Sequence, residues 1–463
     1  MAPKLVAGVD SSTQSVKIVV RDAHTGALVR EARGTHPDGT EISPSNWLSE
    51  LNNATSGLFD DVAAISIGAQ QHGMVVIDDN KQVVRDALLW NDTRSAQDAQ
   101  DLVNEFGGPD KWADAIGSVP VASFTVTKLR WLAKNEPVNA AKVTGVMLPH
   151  DWLTWQLMGT PDEFVTDRGD ASGTGYWSPH TNEYRKDLLK LALGKEVQLP
   201  RVAKPNEIIG ETTSGISVAP GSGDNMAAAL GLGAQTGDIV ISLGTSGTAY
   251  TVSANPTNDA SGVIAGFADA TGNFLPLACT LNAARVINAG AATLNVSLDD
   301  FANLALSAQP GSQGLVLLPF LDGERTPNLP SAKGSMHGLT RSNLTPANFA
   351  RACIEGMLCS LAEASDVITN FGKGTKPNRV VLIGGAAASK AVQEIAATLF
   401  EVPIHIPPAA EYVADGAARQ AAWALSQDQK PPQWEIKETV VKPANFQENV
   451  RNAYKEAFQH THG

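Results

Sequence analysis

A chain of 463 residues, 43% hydrophobic and 18% charged, has an ordinary globular composition, and its length exceeds what one core usually fills, so two domains are expected. A net charge of −13 argues against a nucleic-acid or anionic-membrane surface, which needs clustered Lys and Arg, but leaves small anions bindable by a few oriented donors. Three cysteines, Cys279, Cys353 and Cys359, are too few and too scattered for a disulfide framework or a zinc site and read as buried filler.

The stretch "VAGVDSSTQSVKIVV", residues 6–20, sets two β-branched runs around a cluster of small hydroxyl residues headed by Asp10. Strands are expected near 4–10, 16–22 and 27–33, a helix near 46–58, and a strand in "VAAISIGAQ" at 62–70, which together suggest a mixed sheet covered by helices. No apolar run reaches transmembrane length, and the first strand begins too early to leave room for a signal peptide, so a cytosolic protein is expected. Helical periodicity follows in "SAQDAQDLVNEF" and "TVTKLRWLAKN", then a short strand in "KVTGVML" and a helix in "DWLTWQLMG". The first half, 1–232, closes on "APGSGDNMAAALGLGAQ", a glycine-rich turn entering a helix of small residues.

The second half, 233–463, opens with "DIVISLGTSGTAYTVS", again a strand running through a hydroxyl-rich turn into a strand. The longest helical pattern, "LTPANFARACIEGMLCSLAEASDVITNFG", has Thr345 and Pro346 suited to its cap and first position and Gly372 to its stop. Next come "RVVLIGG" as a buried strand, "ASKAVQEIAATLF" as a helix, "VPIHIP" as a strand and "VADGAARQAAWALS" as a helix. The tail after "QDQKPPQ" is linker-like, with room for one peripheral helix. Two halves that open with the same strand-turn-strand imply a duplicated architecture with a cleft between lobes.

The chain contains no G-x-x-x-x-G-K-[ST], no G-x-G-x-x-G after a strand, no H-E-x-x-H and no G-x-S-x-G. Phosphate binding must therefore rest on the two turns, whose backbone N–H groups can form anion-holding concavities reinforced by hydroxyls. Asp10 by itself suits a turn as well as a cation, and Asp224 in "GSGDNM" suits a helix cap as well as a reacting carboxylate. His72 reads either as a structural histidine at a strand end or as a hydroxyl contact, and Trp90 either as a sugar platform or, the preferred assignment, as part of the core.

The ordered motifs carry a resemblance. "GVDSSTQSVK" and "SLGTSGT" resemble the first and second phosphate loops of the FGGY carbohydrate kinases, and "VVLIGGAAAS" resembles their adenosine motif. The similarity runs nearly end to end through "GSGDN", "LPFLDGERTP" and "VADGAARQAA". It implies an α/β fold of two duplicated ribonuclease H-like domains of the actin/hexokinase type with an interdomain cleft. The first half would carry the sugar site and first phosphate loop, the second half the other phosphate loop and the adenosine site. Within the family, "GAQQHGM" followed by "LLWNDTRS" is most similar to the members acting on xylulose, whereas glycerol-specific members carry an Arg-containing motif where this chain has Gln71 and His72.

The resemblance further implies ATP-dependent phosphorylation of D-xylulose at its 5-hydroxyl. Ribulose, gluconate or glycerol stand as alternative substrates, and a nucleotide-dependent module without transferase activity as an alternative class. Carried over residue by residue, Asp224 is the catalytic base and a sugar contact, and Gln71, His72, Asp92 and Arg94 bind the sugar. Ser12, Thr13, Lys17, Gly244, Thr245 and Ser246 face the phosphates of ATP, Gly384 and Gly385 lie against adenosine, and Asp10 organises Mg²⁺. The common family pattern has Gly where this chain has Ser12, which puts close backbone approach at that point in question. ATP and a small sugar are the implied ligands, without nucleic acid or membrane, and homodimer formation is left open.

Overall fold

The computed structural model describes residues 4–55, 57–371, 377–437 and 439–463. They form two compact units, neither continuous in sequence. The first joins the chain up to Ala234 with Ala254–Leu275 and Glu411–Glu435; the second joins Gln235–Ser253 with Pro276–Ala410 and the chain from Ile436 onward. A division at 232/233 thus follows the order of the two sheets, but two later segments fold back into the first unit.

The sheet of the first unit runs in the order Gly210–Glu211, Ser217–Val218, Val62–Ala69, Leu5–Ser11, Ser15–Asp22, Leu28–Thr35, with Ser222–Gly223 also paired to Val62–Ala69. Leu5–Ser11 is buried on both faces, and its period-2 alternation sorts its side chains. Leu5, Ala7 and Val9 join a core with Trp47, Leu51, Trp152 and Trp155. Val6 joins the opposite core with Ala414, Ala418, Ala421 and Ala422 of the helix Tyr412–Ser426. Gly8 lies on that same face, where a Cβ would come within 1.9 Å of the Ala414 carbonyl oxygen, so only glycine admits the helix. This returning helix is why Glu411–Glu435 belongs to the first unit: its alanine-rich face completes the second side of the first sheet.

Elements otherwise follow the sequence closely. The first helix spans Pro44–Ala54, starting earlier than its apolar pattern because Pro44 presets φ at the first helical position. Thr125–Asn135, Pro149–Leu157 and Asp224–Gly231 are helices, as is the chain end Glu448–His462.

In the second unit the sheet runs Phe274–Thr280, Gly247–Thr251, Asp238–Leu243, Arg379–Ile383, Ile404–Ile406, Val440–Lys442. Its opening repeats the first unit: Asp238–Leu243 pairs antiparallel with Gly247–Thr251 and parallel with Arg379–Ile383, as Leu5–Ser11 does with Ser15–Asp22 and Val62–Ala69. The helix Pro346–Phe371 carries buried Cys353 and Cys359 in its core, and the Thr345 hydroxyl accepts the Asn348 N–H at 3.2 Å to cap it. Gly372, the expected stop, lies outside the described residues. No described helix is long and apolar enough to cross a membrane.

Candidate active site

Three strand ends converge in the first unit. Asp10 pairs with Gly68 across the parallel ladder, while Ser222 pairs with Gly68 and Gly223 with Ala69. Asp10, the run Ala69–His72 and Asp224 therefore leave the sheet at one end, where loops of a parallel pair commonly bind ligands.

Asp10 is buried on the face of the helix Tyr412–Ser426. The Ser12 hydroxyl donates to its Oδ1 at 2.5 Å. Lys17, opposite Asp10 in the hairpin, places Nζ 3.6 Å from Asp10 Oδ2 and 2.7 Å from Glu411 Oε2. Burial pushes the Asp10 carboxyl up to about 6, against the pull of Ser12 and Lys17. Ser12, the departure from the family pattern, thus uses its side chain to fix Asp10. Thr13 accepts a hydrogen bond from Trp90 Nε1 at 2.9 Å and reaches Gln70 Oε1 at 3.5 Å. Trp90 is 36% exposed, so its assignment to the core is corrected: the indole N–H is spent on Thr13 beside the first turn.

Asp224 opens the helix Asp224–Gly231; Gly223 holds the cap position, so Asp224 does not cap the helix with its side chain. Its Oδ1 accepts both the backbone N–H of Asn225 at 2.7 Å and the Asn225 side-chain amide at 2.9 Å. The same amide donates to Gln71 Oε1 at 3.1 Å, locking Gln71 beside Asp224. Desolvation raises the Asp224 carboxyl to about 7, helped by the negative charges of Asp10 and Asp170 and opposed by Asn225. A carboxylate held near neutrality is suited to accepting a proton late in a group transfer.

His72 adopts a left-handed backbone with φ 68°. Its Nδ1–H donates to the Gly173 carbonyl at 2.7 Å, and its ring stacks on Phe124 with centroids 4.8 Å apart. Asp92 and Arg94 form a cluster of their own. Asp92 Oδ1 accepts from Arg94 Nε at 2.8 Å and Oδ2 from the Thr40 hydroxyl at 2.7 Å, while Arg94 also pairs with Glu41 at 2.7 Å. The fully buried Lys128 donates to the Ala122 carbonyl at 2.6 Å and to the Asp92 carbonyl at 3.5 Å, and burial pulls its amine down to about 7. Asn225 and Glu411 are site neighbours not singled out from sequence, and Trp90 joins them against its core assignment. Asn225 adjoins Asp224 in "GSGDN" and could have been found there; Glu411 carries no local signal.

In the second unit, Gly244, Thr245 and Ser246 form the turn between Asp238–Leu243 and Gly247–Thr251. The Gly244 carbonyl accepts the Ala284 N–H at 3.0 Å, and Gly244 and Thr245 stand exposed. Gly384, with φ 89°, sits against Leu243 at that strand end: a Cβ would lie 2.8 Å from its backbone. Gly385 borders open space. Gly384 and the hydroxyl-rich turn are thus brought together by parallel pairing of their strands.

Among the described residues no three His, Cys, Asp or Glu side chains gather into a metal-holding group. Asp10 with the Ser12 hydroxyl offers hard oxygen donors of the kind a divalent ion uses when phosphates and waters supply the rest.

Duplicated sheets of this topology, each opening on a hydroxyl-rich turn, place the chain in the actin/hexokinase class of ATP-dependent phosphotransferases. The chain belongs to the FGGY family of carbohydrate kinases: the family's N-terminal domain matches residues 5–234 and its C-terminal domain residues 239–425. It is 45% identical over 437 residues to a xylulose kinase from Streptomyces coelicolor, covering 91% of this chain and 88% of that one. The crystal structure of xylulose kinase from Bifidobacterium adolescentis superposes with a TM-score of 0.93 at 43% identity, covering 99% of this chain and 100% of that one. Gluconate kinase from Lactobacillus acidophilus superposes with a TM-score of 0.87 at 25% identity, covering 99% of this chain and 97% of that one.

Proposed function

We propose that the chain transfers the γ-phosphoryl group of ATP to the 5-hydroxyl of D-xylulose, giving D-xylulose 5-phosphate. The reading draws on the two xylulose kinases that resemble it most fully among those compared above. The observation that carries it is Gln71 Nε2, a buried amide donor with no acceptor among the described residues, held beside Asp224 through Asn225. A buried donor left unpaired is costly, and a sugar hydroxyl would satisfy it.

In this reading Asp224 Oδ1 is committed to Asn225, so Oδ2 accepts the proton of the attacking hydroxyl. Because phosphoryl transfer passes through a loose transition state, its first contribution is orientation and its second is late proton acceptance. Gln71 and His72 pair sugar hydroxyls, and Asp92 with Arg94 supports that side of the site. Ser12, Thr13 and Lys17, together with Gly244, Thr245 and Ser246, are assigned to the phosphates, and Gly384 and Gly385 to adenosine. Asp10 would hold Mg²⁺, which when bound neutralises phosphate charge. The Lys17 ammonium near Asp10 keeps that carboxylate paired otherwise. The cytosol is the proposed compartment, consistent with three cysteines that form no disulfide.

The test is an ADP-release assay of purified protein with D-xylulose, D-ribulose, gluconate and glycerol. D-xylulose should give the highest kcat/KM; a higher value for any of the others would overturn the sugar assignment.

A further inference from the structure

His72 is held at more points than a recognition side chain needs if it is chosen only for its ring. Non-glycine residues rarely adopt φ near 68°, and the strain persists only where surroundings over-determine it. Here the carboxyl of Asp170 faces the backbone N–H of His72, and the Thr125 hydroxyl donates to its carbonyl at 2.9 Å. Gly173 takes the ring Nδ1–H at 2.7 Å, which fixes a proton on Nδ1 and the orientation of the ring. A Cβ on Gly173 would lie 2.9 Å from that ring.

Asp170 is itself rigidly built. It sits in the short helix Arg168–Ala171, whose cap Asp167 accepts the N–H groups of Gly169 at 2.7 Å and Asp170 at 3.0 Å. Its Oδ2 faces His150 Nδ1 at 2.8 Å, and His150 Nε2 lies 3.0 Å from Asp151 Oδ1 and 3.8 Å from Asp167 Oδ1. All four side chains are buried, with His150 set among three carboxyls. The Asp170 carbonyl accepts the Gly173 N–H at 2.9 Å, so one turn of chain delivers both the carboxyl beside the His72 backbone and the carbonyl on its ring.

We propose that Asp170, braced by His150, and Thr125 are positioning residues for sugar recognition, holding the backbone of His72 in its left-handed conformation so that its ring meets the ketose in one orientation. Their bearing on the sugar runs through His72; the charge of Asp170 also bears on Asp224, an effect read in kcat rather than in the sugar KM. The inference rests on the reading that His72 contacts the sugar.

The experiment measures KM for D-xylulose and for ATP separately, with thermal unfolding, in His72→Ala, Asp170→Ala, Asp170→Asn and Thr125→Val. Loss of the carboxyl facing the His72 N–H should raise the sugar KM of Asp170→Ala about tenfold, and loss of the Thr125 hydrogen bond that of Thr125→Val about fivefold, with KM for ATP within about twofold of the parent. Asp170→Asn, whose amide oxygen can still face the His72 N–H, should recover most of the sugar affinity. A merely structural role would lower stability without splitting the two KM values or showing this rescue. If His72→Ala leaves the sugar KM unchanged, the site reading itself fails. If His72→Ala raises it while folded Asp170→Ala and Thr125→Val do not, only the positioning role is overturned. Should Asp170→Ala not fold, Thr125→Val alone decides, since a normal sugar KM there refutes the clamp.

Discussion

Gly416 tests whether the returning helix sets the position of the candidate base. A Cβ built on Gly416 would lie 1.7 Å from the Ala227 carbonyl oxygen and 2.9 Å from the Gly231 nitrogen, both on the helix that begins with Asp224. The contact is mutual, because a Cβ on Gly231 would meet the Tyr412 carbonyl oxygen at 2.2 Å. Relieving the first overlap to the roughly 3.3 Å of an ordinary C···O contact moves one helix by about 1.6 Å. On helix propensity alone Gly416→Ala would stabilise by about 1 kcal/mol. Overpacking of this kind costs about 1–3 kcal/mol, so the net change should be destabilising. Because Asp224 lies one turn before Ala227, a shift of about 1 Å at the reacting group should also lower kcat by about 100-fold. Thermal unfolding followed by circular dichroism and ADP release at saturating sugar and ATP measure the two effects. A Gly416→Ala protein that melts at or above the parent temperature with unchanged kcat would refute the argument.

Asp224→Ala should lower kcat by about 10²–10⁴-fold with little change in sugar affinity, because the lost group acts in the transition state; near-normal kcat in a folded variant would remove it from the mechanism. The Asp224 carboxyl, raised to about 7, must be ionised to accept a proton, so kcat should climb as pH rises through about 7, and a flat profile across that range would count against it. Asp10→Ala should abolish activity while sugar still binds, measured by titration calorimetry with sugar and then Mg-ATP; unchanged Mg-ATP affinity together with an unchanged rate would contradict the assignment.

The two opening hairpins were legible because largely buried, β-branched runs flank turns of small residues, and the parallel third strands followed from buried runs such as "VVLIG". The same periodicity placed Asp10 at a strand end. What it could not show was the face Asp10 occupies, because that depends on a helix nearly the whole chain away. Glu411 pairs with Lys17, and Arg21 with Asp415, through contacts that exist only after the chain returns. Trp90 was misread for a different reason: tryptophan's bulk favours burial, and only the fold reveals that its N–H caps Thr13. His150 and Asp170 carry chemistry-bearing side chains, but their separation in sequence fits no motif, and only folding brings them to 2.8 Å.

The helix Tyr412–Ser426 gives these observations a common cause. It presses on Gly8, two residues before Asp10 in the same strand, and through Gly416 on the helix that starts with Asp224. Gln420 on the same helix accepts from the Ser66 hydroxyl at 2.5 Å and from the Gly221 N–H at 3.1 Å, and donates to the Gly221 carbonyl at 2.9 Å. It therefore ties the strand carrying Ser66 to the approach of Asp224. The two aspartates need no direct bond to be held in register: each is fixed to one rigid element by contacts that only glycine permits. Small side chains in "GVD" and "VADGAARQ" are thus a requirement of the site's geometry, since any bulk added there displaces a carboxylate before it disturbs a phosphate turn.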